Sequence, residues 1–175
     1  MHINFEFKAR CPDIEKPEAL LKEYHPLFIG IDRQIDTYFH VPNGRLKLRE
    51  GTIENSLIHY DRTNNAAAKQ SNIILYQHQP DKNLKEILTK ALGVKTVVDK
   101  QRKIYFIENV KFHFDTVNEL GNFVEVEAID TDGSIGIVKL KEQCNRYIQL
   151  FGINDDQFIA ESYSDLLLAK KSSTA

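Results

Sequence analysis

Charged side chains alternate with apolar ones in several short segments, and this period-two pattern limits the fold more than any other feature. Side chains two positions apart on a β-strand project from the same face of the sheet. The apolar members are mainly Phe, Val and Leu, and they form the opposite face of each segment. The polar members are Asn4, Glu6, Lys8 and Arg10; Arg45, Lys47 and Arg49; Lys100 and Arg102; Lys111, His113 and Asp115; and Glu125 and Glu127.

Segments rich in β-branched and aromatic residues predict an antiparallel sheet. Turn-forming residues such as Pro42, Asn43 and Gly44 separate many of these segments, which favours a topology that is mainly a meander. The predicted strands lie near residues 3–10, 35–41, 45–50, 56–62, 72–78, 96–106, 110–115 and 122–129.

Three amphipathic segments predict helices near residues 17–24, 81–93 and 134–152. Asp81 is a suitable N-cap for the second segment, and a glycine follows both the second and the third. We expect the apolar stripes of these helices to pack on the outside of the sheet. Residues 63–71 are predicted to form a loop tip.

Composition predicts one globular domain, because the chain has 175 residues of which 42% are hydrophobic. We place this domain at residues 1–169 and expect a disordered tail at 170–175. The 23 basic and 25 acidic residues nearly cancel, so net charge does not favour a nucleic acid or membrane partner. No signal segment or membrane span is recognisable, and we expect a cytoplasmic protein. Cys11 and Cys144 are expected to be free thiols.

The charged faces allow two interpretations. They could be the solvated side of an ordinary antiparallel sheet. Alternatively, the strands could close into a barrel whose interior binds a polyanion. Carboxylates beside the basic residues would repel phosphates unless a divalent cation bridged them. Oxygen ligands without His or Cys clusters favour Mg²⁺ or Mn²⁺ over zinc.

Four segments of the sequence, taken together, resemble the CYTH superfamily of triphosphate tunnel metalloenzymes. They are residues 4–10, 34–39, 44–49 and 114–127, and the resemblance continues at residues 162–167. The first segment follows an E-x-E-x-K signature except that Asn4 replaces the first glutamate, and the fourth is an L-D-x-V-x-x-L-G-x-F-type run, with Phe114 at its first position, followed by a second E-x-E. The chain resembles most the class IV adenylyl cyclase-like group, and thiamine triphosphatases belong to the same superfamily. The resemblance implies an α+β fold: a closed eight-stranded antiparallel β-barrel, the triphosphate tunnel, with helices packed outside.

The resemblance also implies roles for individual residues. It assigns the metal to Glu6, Glu125 and Glu127, with Asp115 and Asn4 as further candidates. Asn4 stands at the first glutamate position of the signature, so the number of metal ions stays open. Lys8 and Glu6 are the candidate catalytic residues. The predicted triphosphate ligands are Lys8, Arg45, Lys47, Arg49, Arg62, Lys100 and Arg102.

The implied function is a metal-dependent reaction on a small triphosphate-containing substrate. We favour hydrolysis of tripolyphosphate or of a nucleoside or thiamine triphosphate, since the sequence reveals no base pocket. The alternative is a class IV adenylyl cyclase, which makes cyclic AMP and pyrophosphate from ATP. A third alternative belongs to a different functional class: a catalytically weak protein that binds nucleotide or polyphosphate. The replacement of the first signature glutamate by Asn4 motivates this alternative. The resemblance implies a monomer or a homodimer.

Overall fold

A computed structural model describes residues 3–61, 69–70 and 72–173. Within these ranges, the helices are α1 (Glu15–Lys22), α2 (Lys82–Leu92), α3 (Ile137–Phe151) and α4 (Tyr163–Ser173), with a short 3-10 helix at Asp155–Gln157. The strands are β1 (Ile3–Arg10), β2 (Leu27–Phe39), β3 (Arg45–Gly51), β4 (Asn55–Asp61), β5 (Lys69–Gln70), β6 (Asn72–Gln77), β7 (Val94–Ile107), β8 (Val110–Val117) and β9 (Gly121–Asp130).

The strands form one antiparallel sheet in the order β5-β1-β9-β8-β7-β2-β3-β4-β6. Its edge strands, β5 and β6, are separated in the chain by a single residue, so the sheet is strongly curled. However, no ladder joins β5 to β6 within the described ranges, and the sheet is an open half-barrel. The prediction of a closed barrel was wrong on this point, because β5 has only two residues and pairs only with Phe5 and Glu6 of β1.

The outer face of the half-barrel carries the main hydrophobic core. Helix α3 places Leu140, Cys144, Tyr147 and Phe151 on one side at helical spacing, and all four are buried. They pack against Phe112 of β8 and its apolar neighbours on β1 and β9. Burial of each such large side chain contributes roughly 1.5–3 kcal/mol. The predicted packing of this helix outside the sheet is therefore confirmed, whereas α2 has no buried residue and its Ile87 is exposed. Both cysteines are free and buried.

Two segments differ most from the prediction. Strand β2 begins at Leu27, well before residue 35, because its first half pairs with β7 although its side chains are largely exposed. Helix α4 continues to Ser173 where a disordered tail was predicted, and the hydroxyls of Ser172 and Ser173 donate to carbonyls four residues earlier. Most of the predicted loop tip at 63–71 lies outside the described residues.

Helix α4 packs across one end of the half-barrel. Its residues Tyr163 and Leu167 are buried in a second cluster with Phe123 of β9 and Val98 of β7. The cavity described below is therefore bounded at this end by a helix. None of the described helices is long and apolar enough to cross a membrane.

Candidate functional site

The concave face of the sheet encloses a cavity of about 880 Å³. Lys8, Lys100 and Arg102 on its wall are at most 6% exposed, so the charged face is not an ordinary solvated surface. The sequence pattern therefore identified the inner face of the sheet correctly. The predicted site residues on this wall are Asn4, Glu6, Lys8, Lys47, Arg49, Lys100, Arg102, Glu125 and Glu127.

Three predicted site residues are placed differently. The Arg45 guanidinium bonds Asp165 of α4 at 2.8 Å, and Arg45 does not line the cavity. Asp115 is fully buried behind the wall, where it accepts two hydrogen bonds from Arg102 and one from Tyr163. These contacts indicate that Asp115 orients the Arg102 side chain and does not bind a metal directly. Arg62 lies outside the described residues.

Asp36 of β2 does not line the cavity but bonds three basic residues of its wall, and the sequence analysis did not select it. Asp36 Oδ2 accepts hydrogen bonds from Lys47 Nζ at 3.0 Å and Lys100 Nζ at 2.7 Å, and Oδ1 accepts one from Arg49 Nε at 2.9 Å. Burial would raise the pKa of Asp36, but Arg49, Lys100 and Lys47 hold this pKa well below its ordinary value. Asp36 alone does not balance three cations, and Glu54, which also contacts Arg49, is shared with Lys111, so the cluster favours a further anion.

Lys100 is the most enclosed of these cations. Its side chain is 1% exposed. Burial lowers the pKa of Lys100 to about 7, although the neighbouring Asp36 carboxylate opposes the shift. An anion bound in the cavity would favour the protonated form, because an opposite charge nearby stabilises the ammonium.

Glu54 is a second residue that the sequence analysis missed. Its carboxylate contacts Arg49 at 2.9 Å and also accepts a hydrogen bond from Lys111 of β8. The loop that carries Glu54 is fixed by buried Asp32, which accepts from the backbone of Glu54 at 3.0 Å. A Cβ on Gly51 would lie 2.6 Å from Asp32 Oδ1, so only glycine fits this turn.

The acidic part of the wall is built by the pairing of β1 with β9. Glu6 lies opposite Glu127, and Lys8 lies opposite Glu125. Glu125 is 3.3 Å from Lys8 Nζ and 2.8 Å from Arg102. Burial would raise the pKa of Glu125, but Lys8, His113 and Arg102 hold this pKa well below its ordinary value. Glu125 is therefore ionised at neutral pH.

Glu127 differs from Glu125 in its electrostatic environment. Burial and the charge of Glu125 raise the pKa of Glu127 to about 7, and Glu6 adds to the repulsion. A divalent cation would relieve this repulsion between carboxylates. Asn4 Oδ1 is buried on the same cavity wall and has no hydrogen-bond partner among the described residues. These residues therefore fit a divalent cation.

His113 of β8 joins this group, although the sequence analysis did not include it in the site. One nitrogen of His113 and one oxygen from each of Glu125 and Glu127 lie within 4.8 Å of one another. The period-two pattern had placed His113 on the charged face. Only the pairing of β8 with β9 brings it directly opposite Glu125.

The raised pKa of Glu127 predicts that this residue destabilises the metal-free protein at alkaline pH. The folded state retains the proton up to about pH 7, so its stability falls as the pH rises through that value. We expect Glu127→Gln to stabilise the metal-free fold by about 2 kcal/mol at pH 8, a value reduced for partial exposure, and to have little effect near pH 5. Urea unfolding with a chelator at both pH values measures this difference. Equal stability of variant and wild type at pH 8 would contradict the prediction.

Helix α4 contributes one aromatic residue to the cavity. The Lys8 ammonium lies 4.3 Å from the centre of the Tyr163 ring. Burial raises the pKa of Tyr163 well above its ordinary value, so its hydroxyl stays protonated and donates to Asp115 at 2.8 Å. Tyr163 thus contacts Lys8 directly and connects with Arg102 through Asp115.

Strands β4 and β6 give the cavity a less polar wall. Ile58, Ile73 and Leu75 line this side, and Tyr38 and Tyr60 lie near its basic end. The charged residues on β1, β7, β8 and β9 lie on the other wall. The cavity therefore has room for an apolar group beside an anionic one.

Fold and site together define a protein with a curled antiparallel sheet around a charged cavity. The chain belongs to the CYTH domain family, whose domain matches residues 2–158. A comparison with curated protein sequences gave no significant match.

Several solved structures have the same fold. A protein from Pyrococcus horikoshii is 22% identical, with a TM-score of 0.80, and the match covers 93% of this chain and 98% of that one. A candidate adenylate cyclase from Vibrio parahaemolyticus is 18% identical over 94% and 97% of the two chains, with a TM-score of 0.73. A candidate adenylyl cyclase from Hippeastrum, described as having a dominant triphosphatase activity, is 12% identical over 98% and 96%, with a TM-score of 0.62.

Proposed function

We propose that the protein is a divalent-metal-dependent enzyme that hydrolyses a triphosphate-containing substrate bound in the cavity. The observation that carries this proposal is the presence of two opposite charge clusters on one cavity wall. Lys47, Arg49 and Lys100 surround Asp36, whereas Glu6, Glu125 and Glu127 lie together on β1 and β9. A polyphosphate with its metal ion matches both clusters. Membership of the CYTH family and the triphosphatase activity described for the Hippeastrum protein support the same conclusion.

In this proposal, the phosphate chain lies along the basic side chains. Arg49 and Arg102 present planar guanidinium groups that suit bidentate phosphate contacts, whereas the lysines act as point charges. Arg102 is already oriented by Asp115, so little side-chain entropy is lost on binding. The proposed phosphate ligands are Lys8, Lys47, Arg49, Lys100 and Arg102, with Arg62 retained as a prediction from the sequence.

Glu6, Glu125 and Glu127 would hold Mg²⁺ or Mn²⁺, with Asn4 as a neutral oxygen ligand. A bound ion of this kind neutralises charge on the phosphate oxygens. Lys8 lies between Glu125 and the Tyr163 ring, which fixes its ammonium where it can orient and stabilise the reacting phosphate. Glu6, two residues away on the same face, is the proposed acceptor of the proton from the attacking water.

Adenylyl cyclisation is the second candidate function. The sequence revealed no base pocket, but Ile58, Ile73 and Leu75 supply an apolar wall that a nucleotide base could contact. Cyclisation would require the ribose 3′-hydroxyl to reach the α-phosphorus while the base lies on this wall. The similarity in fold to the candidate cyclase from Vibrio parahaemolyticus is compatible with this reaction.

Product analysis tests the proposal. The purified protein is incubated with tripolyphosphate, ATP or thiamine triphosphate, each with Mg²⁺, Mn²⁺ or a chelator. We expect orthophosphate from at least one substrate with a metal present and none with the chelator. Cyclic AMP and pyrophosphate from ATP would identify a cyclase instead. Saturable triphosphate binding without any product would show that the protein binds a triphosphate but does not convert it.

A further inference from the structure

We infer that His113 supplies a nitrogen ligand to the divalent cation and gives the site a preference for Mn²⁺ or a similar transition ion over Mg²⁺. This inference rests on the proposed metal-dependent function. It concerns the composition of the metal site, which becomes a mixed site in which the imidazole of His113 joins the carboxylates of Glu6, Glu125 and Glu127. Sequence analysis had treated the site as built from oxygen ligands alone.

The position of His113 Nδ1 between two carboxylates carries the inference. This atom lies 3.3 Å from Glu125 Oε2 and 3.7 Å from Glu127 Oε1. Both distances exceed the roughly 2.7–2.9 Å of a charge-assisted hydrogen bond. Two atoms that each lie about 2.1 Å from one metal ion are separated by roughly 3.0–3.4 Å. The separation of Nδ1 from Glu125 falls within this range and its separation from Glu127 lies slightly above it, so a small side-chain adjustment would let the three atoms share one ion.

His113 and Asn4 are both buried on the cavity wall, and each has a polar atom that lacks a hydrogen-bond partner among the described residues. The residue is 1% exposed, and its Nε2 has no hydrogen-bond partner among the described residues. Asn4 Oδ1 is also without a partner in the described part of the same cavity. Buried polar atoms that lack partners are costly, and native structures rarely retain them. The Asn4 atom indicates that the cavity normally contains a polar occupant, whereas His113 Nε2 is on the opposite side of the ring from Nδ1 and needs a partner other than the proposed ion.

The basic side chains near Glu125 and Glu127 do not prevent these carboxylates from binding a metal ion. Arg102 contacts Glu125 Oε2 at 2.8 Å, and Lys8 lies 3.3 Å from Glu125 Oε1. An ionised carboxylate has about four acceptor positions, so Glu125 can hold both cations and still bind a metal. Lys111, opposite Glu127 in the sheet, has a hydrogen bond to Glu54 on its other side. The oxygens of Glu127 therefore remain available to the ion.

An imidazole ligand changes which metal the site prefers. Mg²⁺ is bound mainly by oxygen ligands and retains much of its water, whereas imidazole suits first-row transition ions. Replacement of the nitrogen should therefore weaken Mn²⁺ binding more than Mg²⁺ binding. This difference separates a direct ligand from a residue that only supports the fold.

The test uses Mn²⁺ alone with the full chain, studied by pulsed electron paramagnetic resonance and by titration. A directly bound imidazole produces ¹⁴N modulation in the Mn²⁺ signal. We expect this modulation in the wild type and its loss in His113→Asn, together with at least a tenfold weaker Mn²⁺ affinity. Mg²⁺ affinity, measured by competition, should change less. His40→Asn, which alters an exposed histidine, is the matched control and should retain the modulation.

Two results would overturn the inference. One is a bound Mn²⁺ signal without ¹⁴N modulation in the wild type. The other is an unchanged modulation in His113→Asn. If either occurs while metal-dependent product formation persists, the proposed function stands and only the role of His113 fails. If Mn²⁺ does not bind saturably and no metal-dependent product forms, both proposals fail.

Discussion

The Glu125→Gln substitution is expected to lower kcat/KM for metal-dependent phosphate release from tripolyphosphate by about 10³-fold, equivalent to about 4 kcal/mol of transition-state stabilisation. The glutamate contacts Lys8, Arg102 and His113 at once, so its charge organises both the proposed metal site and two proposed phosphate ligands. Glutamine retains the shape but loses the charge. Steady-state kinetics with Mg²⁺ and with Mn²⁺ measure the effect.

Glu142→Gln is the matched control for this variant. Glu142 lies exposed on α3, where it pairs with Lys139 at 3.6 Å, and the same change there should leave kcat/KM within about twofold. Circular dichroism and thermal unfolding establish that both variants are folded. A folded Glu125→Gln protein that retained more than a tenth of wild-type kcat/KM would contradict the proposed role of this carboxylate.

The Asp36→Asn substitution is expected to lower the free energy of unfolding by about 3 kcal/mol, because removal of one partner leaves buried charges without compensation. Arg49 also contacts Glu54, but Asp36 joins all three of Lys47, Arg49 and Lys100, and Asp36 is 1% exposed. Without its charge, three cations would repel one another in the cavity wall. Urea unfolding in the absence of phosphate measures this loss. Asp99→Asn, at an exposed position of β7, is the control.

A triphosphate should partly restore the stability of this variant. The bound anion would supply negative charge to the same three cations, and ligand binding to the folded state raises its apparent stability. We therefore expect tripolyphosphate to raise the Tm of Asp36→Asn more than it raises the Tm of the wild type. An unfolding free energy within about 0.5 kcal/mol of wild type would contradict the central role of Asp36. An equal rise in Tm for both proteins would contradict phosphate binding at this cluster.

The inner face of the sheet was predictable because strand periodicity determines side-chain direction locally. Glu6, Lys8, Arg102 and Glu125 were placed on the charged faces from spacing alone, and the structure brings all four to one wall. Family membership, which the resemblance predicted, is confirmed. Closure of the barrel is not a local property, and the short pairing of β5 with β1 leaves the sheet open.

The residues that the sequence analysis missed or misplaced depend on contacts between distant parts of the chain. Asp36 continues a polar alternation with Gln34, but the convergence of cations from β3 and β7 on it follows only from the sheet order. Glu54 lies in a turn, where no periodicity indicates direction. Asp115 was proposed as a metal contact because it is a carboxylate at a matching position of the family pattern. In the structure it is buried behind Arg102, and this placement depends on contacts with Arg102 and with Tyr163 of α4.

A crystal structure of the protein with tripolyphosphate and Mn²⁺ tests the central claim most directly. We expect three phosphorus positions inside the cavity, with oxygens contacting Arg49, Lys100 and Arg102. We also expect an anomalous manganese peak beside Glu125 and Glu127. A phosphate chain bound only on the outside of the sheet, or a cavity that holds the anion with no metal near these glutamates, would contradict it.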